Sequence, residues 1–330
     1  MSLQLSGRAG NETGMLGGKF EVVRHGLREP RDYFLFIPTS VRSEPRPLVV
    51  MLHGCRQRAA DFAASTRMNE LAHRRRFRVL YPEQSLSANA FRCWNWFLSE
   101  QPAGEGEAAA IAALIRGVAS RYPVDRSRIY VAGLSAGGAL TAQLAMSHGV
   151  LFAACAIIAG LMHRAADSPV EALQAMRTGT RRSPTGIVDE IAGDPNADLR
   201  FVPALILSGN RDSTVHPSNA EKLVAQFRRV AELSSQPSAR LDLVRNRVLH
   251  PPGGRSYRQD DYAYHGRVLL RSISIEGLGH AWSGGNAAYP FNDASPPEAS
   301  ALVWDFLSDF ERRQGGAARK RPRWKRLFKL

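Results

Sequence analysis

Cysteine is scarce in this sequence: 330 residues contain three, Cys55, Cys93 and Cys155. Three is too few for a disulfide scaffold, and no C-x-x-C pair offers the spacing of a zinc site, so no metal is expected. Long apolar runs are also missing, and none is long enough to span a membrane. Met1 to Phe20 is polar and Gly-rich, with no apolar segment ahead of a small-residue cleavage site. It does not read as a secretory signal, and the expected location is cytoplasmic. Acidic residues are in deficit, 30 Asp and Glu against 44 Lys and Arg, for a net charge of +14. The excess is uneven. Arg319, Lys320, Arg321, Arg323, Lys325, Arg326 and Lys329 are seven basic residues in the last twelve, and without them the net charge is +7. Half of the imbalance is therefore a property of the tail.

What is present is a rhythm. Tyr33–Pro38, Pro47–Leu52, Phe77–Pro82, Arg128–Ala132, Ala154–Ala159, Val202–Leu207 and Arg271–Ile275 read as strands. The run Pro47-Leu48-Val49-Val50-Met51-Leu52 is apolar throughout, as a strand buried on both faces requires, whereas Arg271–Ile275 alternates and suggests a half-exposed one. Helical patterns lie between, at about Asp61–Arg75, Glu105–Arg121, Gly138–His148, Ser218–Leu233 and Pro297–Arg313. The alternation predicts an α/β fold with a mainly parallel sheet and helices on both faces. Two stretches break the rhythm. Leu161–Arg200 is long for a β–α connection and has two open readings, a cap over the site or a surface excursion. Ser234–Arg267 is polar, and the segment Tyr257–Leu270 suggests a hairpin turning at His265-Gly266.

Gly133-Leu134-Ser135-Ala136-Gly137 follows directly on Arg128-Ile129-Tyr130-Val131-Ala132 and precedes a helix-prone segment. That order of strand, Gly-x-Ser-x-Gly turn and helix is the context of a nucleophile elbow. A serine hydroxyl needs a histidine to take its proton and a carboxylate to fix that histidine's tautomer, in the chain order Ser, acid, His. Asp212 lies just past the apolar run Leu205-Ile206-Leu207, while its rivals Asp189, Asp194 and Asp198 follow no such strand. The competing reading of Asp212 is an Asx turn or helix N-cap with Ser213 and Thr214. His280 follows the last strand between Gly279 and Ala281, in a turn also containing Gly277, and is favoured over His216, His250 and His265. The oxyanion hole needs two backbone N–H groups, one from Ala136 after the nucleophile and one from the loop Leu52-His53-Gly54-Cys55, where Cys55 is the candidate.

Six segments occur in one order: His53-Gly54-Cys55, Tyr81-Pro82-Glu83-Gln84, Cys93-Trp94-Asn95-Trp96-Phe97, Gly133–Gly138, Asp212-Ser213-Thr214-Val215 and Gly279–Gly285. Together they resemble the poly(3-hydroxybutyrate) depolymerase family of esterases, which also holds feruloyl- and acetylxylan-esterase-like members. The resemblance runs from about Asp32 to Phe310. It implies an α/β-hydrolase fold, no cofactor, and a serine carboxylester hydrolase with Ser135 as nucleophile, Asp212 as acid and His280 as base. The implied organisation is a flexible segment (1–19), one hydrolase domain (20–314) and a basic, disordered tail (315–330). Extracellular members usually carry a signal, a linker and a separate substrate-binding domain, whereas this sequence closes on a short basic tail. Shorter hydroxyacid oligomers, amorphous polymer or simple esters are therefore the expected substrates, with feruloyl or acetyl esters of polysaccharide as the second choice.

Trp94, Trp282 and His53 are candidates to line the substrate, with packing of the loops onto the core as the equal alternative for the two tryptophans, and Trp96 is expected in the core. Cys55 and Cys93 both fall in loops of the site. A bridge between them would tie the oxyanion loop to the Trp94 loop, while a cytoplasmic location favours two free thiols. Cys155, within an apolar run, reads as core. The tail mixes basic residues with Trp324, Leu327 and Phe328. Residues 319–330 have two open readings, contact with an anionic surface or a solvated end, with no strong signal for nucleic acid. A non-catalytic binding protein on a hydrolase scaffold is the reading from another class, and the ordered Ser, Asp and His oppose it.

Overall fold

A computed structural model describes residues 18–25, 31–41, 43–98, 106–195, 197–234 and 239–312. The basic tail and most of the expected N-terminal segment lie outside these. In chain order the elements begin with β1 (Gly18–His25), β2 (Arg31–Pro38), β3 (Arg46–Leu52), α1 (Ala59–Ser65), α2 (Met68–Arg75) and β4 (Arg78–Pro82). Next come α3 (Glu107–Arg121), β5 (Val124–Leu134), α4 (Ala136–Ser147), β6 (Ala154–Ile158), α5 (Pro169–Thr178), α6 (Pro184–Gly193), β7 (Ala204–Gly209) and α7 (Ser218–Ser234). The chain continues through β8 (Asp242–Leu249), β9 (Tyr257–Tyr264), β10 (Arg267–Ile275), β11 (Trp282–Ser283), β12 (Asn292–Asp293) and α8 (Ala299–Leu307).

Ten strands form one sheet in the order β1-β2-β4-β3-β5-β6-β7-β10-β9-β8. From β4 through β10 all neighbours are parallel. The apolar runs explain that centre. Along β3, Leu48, Val50 and Leu52 enter the core on one face while Val49 and Met51 enter the core on the other. The first core is closed by α3, α4 and α7 through side chains such as Ile115, Leu140 and Phe227, the second by α1, α2 and α8 through Phe62, Met68 and Trp304. Each such side chain contributes roughly 1.5–3 kcal/mol when fully buried. α4 is buried along almost its whole length, as expected of a helix apolar on every side.

Three differences from the sequence reading have local causes. The single helix expected over Asp61–Arg75 is broken, because Arg67 takes a left-handed φ of 57°. The Thr66 hydroxyl also bonds back to the Phe62 carbonyl at 2.9 Å. The break lets Phe62 and Met68 enter the same core from two directions. The polar stretch before β9 contains a strand, β8, unmarked by apolar periodicity because it is an exposed sheet edge carrying Arg245 and Arg247, the charges that discourage edge pairing. The hairpin at His265-Gly266 is present as read, with φ of 49° and 77° at the two turn residues. Leu161–Arg200 holds two helices, each opened by a Ser-Pro pair. Ser168 Oγ accepts the Glu171 N–H and Ser183 Oγ the Gly186 N–H. Both pack on α7, through Asn219 Nδ2 donating to Ala175 O (2.9 Å) and the Arg229–Asp189 ion pair (2.7 Å).

Candidate active site

Parallel strands deliver their carboxyl ends to one edge, and the expected site residues leave from that edge. β5 runs straight into Ser135, which adopts φ 58° and ψ −119°. Such a conformation is strained for a residue with a side chain, and it persists only where its surroundings fix it. Those surroundings are tight. A Cβ on Gly133 would collide with the Gly137 carbonyl, and one on Gly137 with the Leu52 carbonyl of β3. The Ser135 N–H donates to Ile158 O of β6 at 2.9 Å. Ala136 is the first residue of α4, so its N–H is among the donors a helix leaves without an intrahelical partner.

The Asp212 and His280 loops leave adjacent parallel strands, with Gly209 of β7 in register with Ile275 of β10. They are stitched together beyond the strands: Asn210 N–H donates to Ile275 O and Arg211 N–H to Leu278 O, both at 3.0 Å. Gly277 takes φ 68° at the turn. Arg255, held by Asp293 at 2.7 Å, donates to its carbonyl. The outcome is an Asp212–His280 pair, His280 Nδ1 donating to Asp212 Oδ2 at 2.7 Å. The other oxygen, Oδ1, accepts the Thr214 and Val215 N–H groups, each at 2.8 Å. The Asx-turn reading and the histidine-partner reading of Asp212 are thus both true, one per oxygen. His216, the sequence rival, bonds instead to Ser218 Oγ. Among the described residues no hydrogen bond joins Ser135 Oγ to His280. Such contacts often tighten only when substrate is bound.

The His53-Gly54-Cys55 loop lies against the elbow: a Cβ on Gly54 would stand 3.4 Å from Ser135 Cβ. Cys55 is bonded to Cys93, S–S 2.08 Å, so the loop is tied to the Trp94 segment as the bridged reading describes. A polar network missed by sequence reasoning holds the tied segment. Glu107 accepts from Gln84 and from the Asn95 N–H. Glu83 bridges Arg92 (2.6 Å) and the Ala59 N–H (2.7 Å), and burial raises its carboxyl above the usual carboxylate range. Gln57 Oε1 accepts the Gly54 N–H at 2.8 Å. Glu83-Gln84 directly after a strand was the available signal for this network; Gln57 and Glu107 carried none.

The expected substrate wall needs correction. His53, Trp94 and Trp282 have no exposed surface. Trp94 Nε1 donates to His53 O (2.9 Å), Trp282 meets Phe62 edge-on with Nε1 donating to Ser300 Oγ, and His53 is enclosed between Gly54, Gln84 and Trp94. All three are packing residues, because their polar atoms are needed to satisfy buried backbone and hydroxyl groups. Trp96 and Cys155 are core residues as read, and burial pushes the Cys155 thiol up. Among the described residues, the half-buried Phe291 stands edge-on to His280 with centroids 6.2 Å apart. Among the described residues, no group of three or more His, Cys, Asp or Glu side chains is placed to hold a metal, and no helix is long and apolar enough to cross a membrane.

A central parallel sheet with a strained serine turn after one strand and a paired acid and histidine after two later ones defines an α/β-hydrolase. The acetyl xylan esterase from Aspergillus awamori shares this fold, with a TM-score of 0.67 at 19% identity over 88% of this chain and 99% of that one. Residues 31–248 match the family described as esterase PHB depolymerase, and the chain belongs to that family. Among its relatives is poly(3-hydroxyalkanoate) depolymerase C of Paucimonas lemoignei, 32% identical over 75% of this chain and 57% of the relative. Another is feruloyl esterase B of Neurospora crassa, 26% identical over 60% of this chain and 69% of the relative. The chain thus spans little more than half the length of the depolymerase. The family match includes Ser135 and Asp212 and ends before His280, whose place rests on its bond to Asp212.

Proposed function

We propose that this chain is a serine carboxylic ester hydrolase acting on short-chain hydroxyalkanoate esters or oligomers through an acyl-enzyme on Ser135. The observation that carries the reading is the Asp212–His280 hydrogen bond at the strand edge where the Ser135 elbow emerges. A carboxylate only accepts, so His280 Nδ1 bears the proton and Nε2 offers its lone pair towards a nucleophile. Ser135 attacks the ester carbonyl as His280 takes its proton, and Asp212 stabilises the imidazolium. The N–H groups of Ala136 and Cys55 hold the oxyanion, each worth about 10²–10³ in rate. His280 then protonates the leaving alkoxide and activates water to release the acid.

The depolymerase relative supports the hydroxyalkanoate reading; the feruloyl esterase relative supports an aromatic or acetyl ester as the second one. Comparing hydroxybutyrate trimer, p-nitrophenyl butyrate and methyl ferulate under identical conditions ranks them, and the first reading fails if ferulate is turned over best. Fluorophosphonate labelling of the parent and of Ser135→Ala tests the nucleophile. Undiminished labelling of S135A would remove Ser135 from the role. The expected cytoplasmic location stays a proposal, and the Cys55–Cys93 bond supports the other reading, a compartment that keeps disulfides. Contact of residues 319–330 with an anionic surface remains part of the proposal, tested by vesicle sedimentation with and without residues 317–330.

A further inference from the structure

We propose that Phe291 determines specificity for the alcohol side of the ester, an inference that rests on the serine-hydrolase reading above. Its ring stands edge-on to the His280 imidazole at 6.2 Å between centroids, within the contact range of aromatic rings. Asp212 holds Nδ1, and the His280 side chain is only 9% exposed. Substrate therefore reaches Nε2 through a narrow opening, and Phe291 stands beside it.

The backbone makes this placement informative. Phe291 takes a left-handed φ of 61°. For a bulky side chain that is a genuine outlier, kept only where the surroundings over-determine it, and such residues cluster at active sites and ligand clamps. Here the surroundings are specific. Phe291 O accepts the Trp282 N–H at 2.8 Å, and the following residue, Asn292, pairs with Trp282 as β12 meets β11. Asn292 Nδ2 turns back to donate to Pro290 O at 2.9 Å, and Asp293 is held by Arg255 at 2.7 Å. A glycine would take this turn without strain, so the ring is held here against the backbone's preference. It packs partly on the second core and is only half-buried.

The reaction dictates which part of the substrate meets the ring. Ser135 Oγ bonds to the acyl carbon and the carbonyl oxygen enters the oxyanion hole, whereas the leaving oxygen must lie against His280 Nε2 to be protonated. A side chain beside the imidazole therefore meets the alcohol. The phenyl ring offers it apolar surface and no hydrogen-bonding atom, which suits an alkyl chain. In a 3-hydroxyalkanoate oligomer the alcohol is the next hydroxyacid unit, whose alkyl branch sits on the carbon that bears the leaving oxygen.

The test compares Phe291→Ala and Phe291→Leu with the parent on two pairs of esters. Ethyl and butyl butyrate change only the alcohol, at nearly constant leaving-group acidity. Ethyl acetate and ethyl butyrate change only the acyl chain. A ratio of kcat/KM values within one preparation is independent of the fraction folded, so packing lost with the ring does not move it. The butyl-to-ethyl ratio should fall about tenfold in F291A and about threefold in F291L, with the acyl ratio within about twofold of the parent's. The butyryl-enzyme formed from p-nitrophenyl butyrate partitions between water and added butanol, which enters by the contacts the leaving alcohol uses. Transfer to butanol should fall in parallel with the alcohol ratio. The proposal is overturned by a butyl-to-ethyl ratio in F291A within about twofold of the parent's, or by an equal fall in the acyl ratio. If F291A does not fold, F291L decides alone, and an unchanged butyl-to-ethyl ratio overturns the proposal. Failure of the underlying reading is separate, since it would appear as undiminished fluorophosphonate labelling of S135A.

Discussion

Asn210 and Gly277 are joined by a hydrogen bond, the Gly277 N–H donating to Asn210 Oδ1 at 2.7 Å. Asn210 is two residues ahead of Asp212 and Gly277 three ahead of His280, so this side chain adds a third link to the two backbone bonds that hold the loops together. Asn210→Ala should destabilise the protein by about 1 kcal/mol and, if that loss is felt in the transition state, reduce kcat/KM about fivefold. Asn210→Asp keeps the acceptor and should retain most activity. Equal losses in the two variants would show that the side-chain oxygen is not what matters.

Asp212→Asn probes a carboxylate with divided duties. The Thr214 and Val215 N–H groups need an oxygen, and so does His280 Nδ1. The amide can supply only one oxygen, and its NH₂ must face a donor. Esterase kcat should fall on the order of 10³–10⁴ as the histidine loses its tautomer control. The melting temperature should also drop. A fall in kcat below tenfold would point to another acid.

Opening the Cys55–Cys93 bond should cost stability as well as order. The cysteines are 38 residues apart, and closing a loop of that length restrains the unfolded chain by about 4 kcal/mol in the chain-entropy model. Cys93→Ser should shift the urea midpoint down by a corresponding amount. An unchanged midpoint, or two free thiols found by mass spectrometry in the untreated protein, would contradict the bridge.

Stability should weaken in mild acid, and His53 gives the sign. Its folded pKa is depressed from 6.5 to about 4, mainly by burial and against the help of its bond to Gly54. The unfolded chain therefore binds the proton first as pH falls. The contribution is fully present above about pH 6.5, declines from there towards pH 4, and is at most about 3 kcal/mol. His163, also lowered by burial, acts in the same direction. Urea unfolding of the parent at pH 7.5 and pH 5 should differ more than that of His53→Asn, and equal differences would assign the acid sensitivity to other groups.

Much of this was legible in the residues. The apolar runs around Val50, Val131, Ile157 and Ile206 dictated a doubly covered parallel sheet, because burial on both faces removes polar alternation. Ser135 and Asp212 were legible because each follows such a run, and His280 because it lies in a glycine-flanked turn after the alternating strand Arg271–Ile275. The arginine-bearing edge strand β8 was not, since its side chains are exposed and carry no burial pattern. Trp94 and Trp282 misled because a tryptophan near catalytic loops has the same sequence appearance whether it faces substrate or holds the loop down. Gln57 and Glu107 were silent because their roles arise from contacts with backbone groups that only the folded loops bring near.

The parallel pairing of β10 with β7 bears on how this chain can be cut. A fragment ending at residue 248, where the family match stops, keeps Ser135 and Asp212 but lacks His280, and the missing β10 leaves β7 as a raw sheet edge. His280 lies 68 residues from its carboxylate partner. Its arrival depends on a long-range closure late in the sequence, of the kind that is slow because chain entropy is spent before the contacts form. Under the proposed mechanism Ser135 and Asp212 stay inert until this last part of the chain has docked, so truncation from that end should remove esterase activity and sheet integrity together.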